Sequence, residues 1–111
     1  MRYIVVPKNA EAVNKLEYNI AAPEEFIEIV LSEDDFNRLE MSGFFSFLNN
    51  LVDVNIDDYE DDVIEGRDKI QKVLNYIHIF NIDSQRKFLI NNIERLFKEA
   101  FLRNTAVYFY F

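Results

Sequence analysis

Residues 52–65 read Val52-Asp53-Val54-Asn55-Ile56-Asp57-Asp58-Tyr59-Glu60-Asp61-Asp62-Val63-Ile64-Glu65, and the fold depends on how this stretch divides. Residues 52–56 alternate apolar and polar side chains, the period of a short strand or of an extended loop with one acidic face. From Asp57 the reading changes. Glu60 follows three residues on, the spacing by which an N-cap and a reciprocal carboxylate satisfy two free backbone donors. A helix is therefore predicted from Asp57 toward Phe80-Asn81-Ile82, with Tyr59, Val63, Ile70, Val73, Leu74 and Ile77 on its buried stripe and Gly66 as its weak point.

Working outward toward the N-terminus, Phe44, Phe47, Leu48 and Leu51 repeat at helical spacing. Gly43 separates them from a helix that opens at Ser32, with Glu33, Asp34 and Asp35 against the positive end of its dipole. A single helix with Gly43 inside is the competing division. Residues 25–31 alternate with apolar groups on both faces, which predicts a strand inside a sheet. Asn9 caps a helix predicted to about Ile20, with Val13, Leu16 and Ile20 on one side, and residues 2–7 form a β-branched strand closed by Pro7. Toward the C-terminus, Asp83-Ser84 caps a helix whose stripe is Phe88, Leu89, Ile93, Leu96, Phe97, Ala100 and Phe101. Glu94 with Lys98 and Glu99 with Arg103 form four-residue ion pairs outside that stripe. Asn104-Thr105 then turns into a terminal strand.

This order predicts an α+β fold in one domain, residues 1–111. A small mixed or antiparallel sheet, with strands near 2–7, 25–31, 105–111 and in one division 52–56, packs against three to five helices. The first and last strands are expected to pair.

The composition narrows the function classes. Half of the 111 residues are hydrophobic, with eleven Phe and six Tyr, enough for one sizeable core. There is no cysteine, which removes disulfides, thiolate nucleophiles and Cys-based metal sites. No segment has the composition of a signal peptide or a membrane-spanning helix, so a cytoplasmic protein is expected. Residues 21–66 hold fourteen acidic side chains against one arginine, a local charge of −13 within a net charge of −8. Such a surface repels phosphate backbones and anionic membranes and attracts basic proteins.

Catalytic signals are sparse. His78 is the only histidine and lies near a helix end, where packing or a dipole contact accounts for it. The serines, at positions 32, 42, 46 and 84, sit in capping or surface contexts without a nucleophile elbow. Two glycines cannot build a phosphate-cradling loop. Asp53, Asn55, Asp57 and Asp61 match four places of a calcium loop. However, Asp58 stands where glycine is required and Ile64 where the bidentate Glu belongs. No enzyme activity, metal or cofactor is expected. Tyr108 to Phe111 and Phe44-Phe45 read as core, whereas Tyr59 suits either a buried ring or an interface anchor.

The acidic run has two readings. Glu60, Asp61 and Asp62 would each stabilise a helix N-terminus by roughly a few tenths of a kcal/mol. Seven carboxylates exceed what a helix start needs, and their crowding is more readily explained if a basic partner relieves it. The candidate contact residues are Asp53, Asp57, Asp58, Tyr59, Glu60, Asp61, Asp62 and Glu65, with Glu33, Asp34 and Asp35. A structural or oligomerising domain with a solvated acidic face is the alternative, and a divalent-metal-dependent enzyme using the same carboxylates is a third.

In its size, its acidic block and its Asp57-Asp58-Tyr59-Glu60-Asp61-Asp62 set, the chain resembles the small acidic immunity proteins that bacteria encode beside secreted toxins in colicin and contact-dependent growth inhibition systems. Colicin immunity proteins are wholly helical and carry paired tyrosines, so the likeness is one of functional character. It implies an inhibitor that occludes the cationic active site of a nuclease toxin. A phage-encoded inhibitor that mimics DNA would share these features.

Overall fold

The computed structural model of the protein describes residues 2–80 and 84–111, with 84–86 as backbone only. In chain order the elements are β1 (Arg2–Pro7), α1 (Ala10–Glu17), β2 (Phe26–Leu31), α2 (Glu33–Ser42), α3 (Phe44–Val52), β3 (Asp61–Glu65), α4 (Arg67–Tyr76), α5 (Ser84–Arg103) and β4 (Ala106–Tyr110). The strands form one sheet in the order β2-β1-β4-β3, and each neighbouring pair is antiparallel. The expected α+β class holds, as does the pairing of first and last strands, in which Ile4 lies opposite Phe109. Thr105 reinforces that pairing by donating its buried hydroxyl to the carbonyl of Pro7 at 2.7 Å.

Period-two alternation sorts the strand side chains onto two faces. Ile4, Val6, Leu31, Ile64, Val107 and Phe109 point inward to the main core, where α2 to α5 supply Leu39, Phe44, Leu48, Ile70, Val73, Ile93, Phe97 and Ala100. Phe36, Phe45 and Phe111 form a ring cluster with centroids 5.1–5.3 Å apart. On the outer face Val5, Ala106 and Tyr108 are buried, with Leu16 of α1 packed against them. The sheet therefore lies between a thick helical layer and a single short helix.

Local signals behave as read at several positions. The Asn9 side chain accepts from the Ala12 amide at 2.8 Å, and Ser32 Oγ accepts from the Asp35 amide at 3.0 Å. Gly43 divides α2 from α3 with φ +85°, a left-handed conformation in which a side chain would be strained. The pairs Glu94–Lys98 and Glu99–Arg103 are both formed.

The decisive stretch divides differently from the prediction. Val52 ends α3, residues 53–60 are loop, and Asp61–Glu65 is strand β3 where a helix start was expected. Two physical reasons favour the strand. Helical spacing would set Asp57 against Asp61 and Asp58 against Asp62, like charges one turn apart, which destabilises a helix. As a strand, β-branched Val63 and Ile64 serve opposite faces, and Ile64 is fully buried against the core. Gly66, at φ +95°, breaks the chain between strand and helix, so α4 begins at Arg67 and gives way after Tyr76 to a 3₁₀ turn over Ile77–Ile79.

Other boundaries move less. β2 lies at the edge of the sheet although both its faces are apolar: Ile27, Ile29 and Leu31 meet the main core and Phe26 meets the outer cluster, while Val30 stays 47% exposed. α1 stops at Glu17 and buries Ala12, leaving Ile20 exposed. Phe88 of α5 is likewise exposed. The predicted Asp83 cap and the helix end at Asn81-Ile82 lie outside the described residues.

Candidate functional site

Antiparallel topology decides which acidic residues meet. β2 ends at Leu31 and β3 begins at Asp61 at the same end of the sheet, where β1 starts and β4 finishes. The chain after β2, which carries Glu33, Asp34 and Asp35, is thus brought toward the chain before β3, which carries Asp57 to Glu60. Arg2 joins them. Its side chain is nearly buried, at 7% exposure, and the guanidinium donates to Glu33 at 3.1 and 3.4 Å, to Asp58, and to the carbonyl of Phe111 at 3.2 Å. It also lies over the Phe36 ring, 3.7 Å from the centroid, and 5.6 Å from that of Tyr59. Burial alone would weaken its hold on a proton, but the hydrogen bonds and charges of Asp58 and Glu33 reverse this, so its pKa stands above the ordinary value.

The loop bearing the other carboxylates is fastened at two points. The Asn49 side chain accepts from the Ile56 amide at 2.7 Å and donates to the Ile56 carbonyl at 3.0 Å, completing a backbone-like pair from within α3. Asp62 accepts from the amides of Asn55 at 2.8 Å and Val63 at 2.7 Å. At the tip, Tyr59 has φ +64° and is 85% exposed. A bulky side chain in the left-handed region is uncommon and strained. Tyr59 is thus an exposed ring among Asp57, Asp58, Glu60 and Asp61.

Through Arg2 the structure brings Glu33 to Asp58 and Tyr59, whereas Asp57, Glu60, Asp61 and Asp62 are near them as neighbours along the chain. Asp34 and Asp35 lie in the first turn of α2 at this end, Asp34 bonded to Arg38 at 2.9 Å. Asp53 and Glu65 stand apart. Asp53 follows the last residue of α3 and lies beside Asp68, Lys69 and Lys72, and Glu65 closes β3 at the far end of the sheet near Ala10 and Asn14. Among the described residues no three His, Asp or Glu side chains are grouped to hold a metal ion, so the calcium-loop positions do not share a centre. No described helix is long and apolar enough to cross a membrane.

Sequence reasoning missed Arg2, Asn49 and the outer-face tyrosines. Tyr108 and Tyr110 stack at 6.0 Å on the side of β4 opposite Phe109 and Phe111, and the Tyr108 hydroxyl donates to Glu17 at 3.2 Å. The order Tyr-Phe-Tyr-Phe was the available signal: hydroxyl-bearing rings alternate with plain ones, and only one set belongs in a fully apolar core. Burial, followed by the charge and hydrogen bond of Glu17, pushes the Tyr108 pKa well above its ordinary value. Burial, then the charges of Asp61 and Glu17, raises that of Tyr110.

Comparison with family models, with curated proteins and with solved structures finds no match to this chain, so a functional reading rests on its own geometry.

Proposed function

We propose that this protein is an acidic inhibitor that binds and neutralises a basic protein, with a nuclease toxin as the partner class, as in a toxin–immunity pair. The observation that carries the reading is the position of Tyr59 and its neighbouring carboxylates. They occupy a fastened loop and an edge strand rather than a helix N-terminus, so the capping requirement that would have explained them is absent. A helix start therefore does not account for them. An exposed tyrosine flanked in sequence by Asp57, Asp58, Glu60 and Asp61 has the composition of an interface hot spot, and carboxylates so placed can occupy a cationic site that otherwise takes phosphates.

Asp58 and Glu33 are engaged with Arg2, so reversing them would damage the fold together with the surface. The test uses Asp57→Lys with Glu60→Lys. A basic protein captured by immobilised wild type at about 50 mM salt, released at about 500 mM, and not held by the double variant is expected, because screening removes such attraction. Its nuclease activity should fall stoichiometrically on addition of wild type. Equal retention by wild type and variant, or retention without inhibition, would overturn the reading.

A second reading, an oligomerising domain, is favoured by one observation: β2 is an edge strand with apolar Val30 exposed. It predicts a concentration-dependent rise in sedimentation coefficient, and a monomer at all concentrations would end it.

A further inference from the structure

The outer face of the sheet is only partly covered. The cross-strand row Val30, Tyr3, Tyr110, Asp61 runs along the same end of the sheet as the acidic loop, and α1 reaches it only at its C-terminal end. Between α1 and β3 a recess of about 310 Å³ opens to solvent, lined by Leu16, Glu17, Asn19, residues 61–63, Tyr108 and Tyr110. Its aromatic part is the stacked pair Tyr108 and Tyr110, whose planes are 18° apart. Glu17, fixed by the Tyr108 hydroxyl, stands on the α1 side and Asp61, opposite Tyr110 in the ladder, on the β3 side. No lining residue is cationic. The lysine of α1 is turned elsewhere, with Lys15 bonded to Glu25 at 3.2 Å and Glu11 at 3.4 Å.

We propose that this recess receives one arginine side chain from the basic partner, its guanidinium lying against the Tyr110 ring and bonded to Asp61 and Glu17. The inference rests on the reading of this end of the molecule as a protein-binding surface, and it names the group recognised there. Charge complementarity fixes the occupant as a cation, and the shape of the site selects between the two cationic side chains. A guanidinium is planar, weakly hydrated, able to stack on an aromatic face and to fork toward carboxylates on two sides. An ammonium is compact, strongly hydrated and gains little from a flat ring floor. Tyr59 and this recess border the same end of the sheet, so a partner seated on the loop can reach both.

The probe is Nα-acetyl-arginine methylamide, titrated into the wild-type protein and followed by the ring resonances of its tyrosines in two-dimensional NMR. Saturable shifts at Tyr108 and Tyr110 are expected in the millimolar range, with the lysine analogue on the order of threefold weaker or more. Glu17→Gln with Asp61→Asn, which keeps the ring floor, should abolish saturation, and Tyr110→Ala provides a second variant. Linear shifts, equal response to both analogues, or an unchanged response in the neutralised variant would overturn the inference. Failure of the wider reading is distinguishable. A captured basic partner whose affinity is unaffected by Glu17→Gln with Asp61→Asn overturns the arginine seat alone. A saturable arginine response with no basic protein retained supports the seat while overturning the inhibitor reading.

Discussion

At the scale of the residue, Arg2 has the largest structural consequence. It sits beneath the acidic end of the sheet, so removing it would leave Glu33 and Asp58 facing one another beside Phe36. Arg2→Ala is expected to cost about 1–3 kcal/mol in urea denaturation, because a nearly buried cation joining two carboxylates is lost, while Glu33 is largely and Asp58 partly open to water. Tyr59 behaves in the opposite sense. Tyr59→Asn places a residue tolerant of positive φ at the loop tip, so stability should be held or raised by up to about 1 kcal/mol while partner affinity falls at least about tenfold. Equilibrium denaturation and calorimetric binding, run side by side, check both halves. Tyr108 gives a pH signature. Its folded pKa lies above the unfolded value of about 10, so its contribution to stability is complete below pH ~10 and is lost as pH rises from there toward the folded value. Alkaline melting curves of wild type and Tyr108→Phe should show the variant losing less stability over that rise.

At the scale of the element, the acidic loop takes its position from contacts distant in sequence. Asn49 in α3 substitutes for a missing strand by pairing with both backbone groups of Ile56. Asn49→Ala leaves those groups without their partner and should cost about 1–3 kcal/mol. Hydrogen exchange is the sharper check: the Ile56 and Asn55 amides should lose protection while those of α5 keep theirs. β3 is an edge strand paired within the sheet to β4 alone, and its carboxylates discourage pairing with a second chain, as charged edge strands do.

At the scale of the whole molecule, charge is distributed unevenly. Residues 67–111 carry a net +4 and supply α4 and α5, whereas the end of the sheet formed by the starts of β1 and β3 carries the converging carboxylates. Self-repulsion at that end opposes folding. Glu60→Gln should therefore raise the melting temperature slightly at low ionic strength, and the gain should vanish near 0.5 M salt, where the Debye length is about 4 Å. A gain unchanged by salt would mean that Glu60 acts through a local contact rather than through the shared field.

Much of the architecture was legible in the sequence because it depends on neighbours along the chain. Caps at Asn9 and Ser32, the division at Gly43, the stripe of α5 and the alternation of residues 106–110 each follow from a local rule of capping, backbone freedom or periodicity. Size, charge block and absence of cysteine bounded the function in the same way. The tertiary structure decided what local rules leave degenerate. Asp57 with Glu60 satisfies a capping pattern, yet pairing with β4 and burial of Ile64 outweighed it and made the stretch loop and strand. The convergence of Glu33 with Asp58 on Arg2, the separation of Asp53 and Glu65, and the recess between Glu17 and Asp61 all follow from strand order and direction. These join residues dozens of positions apart, whereas capping and periodicity act over three or four.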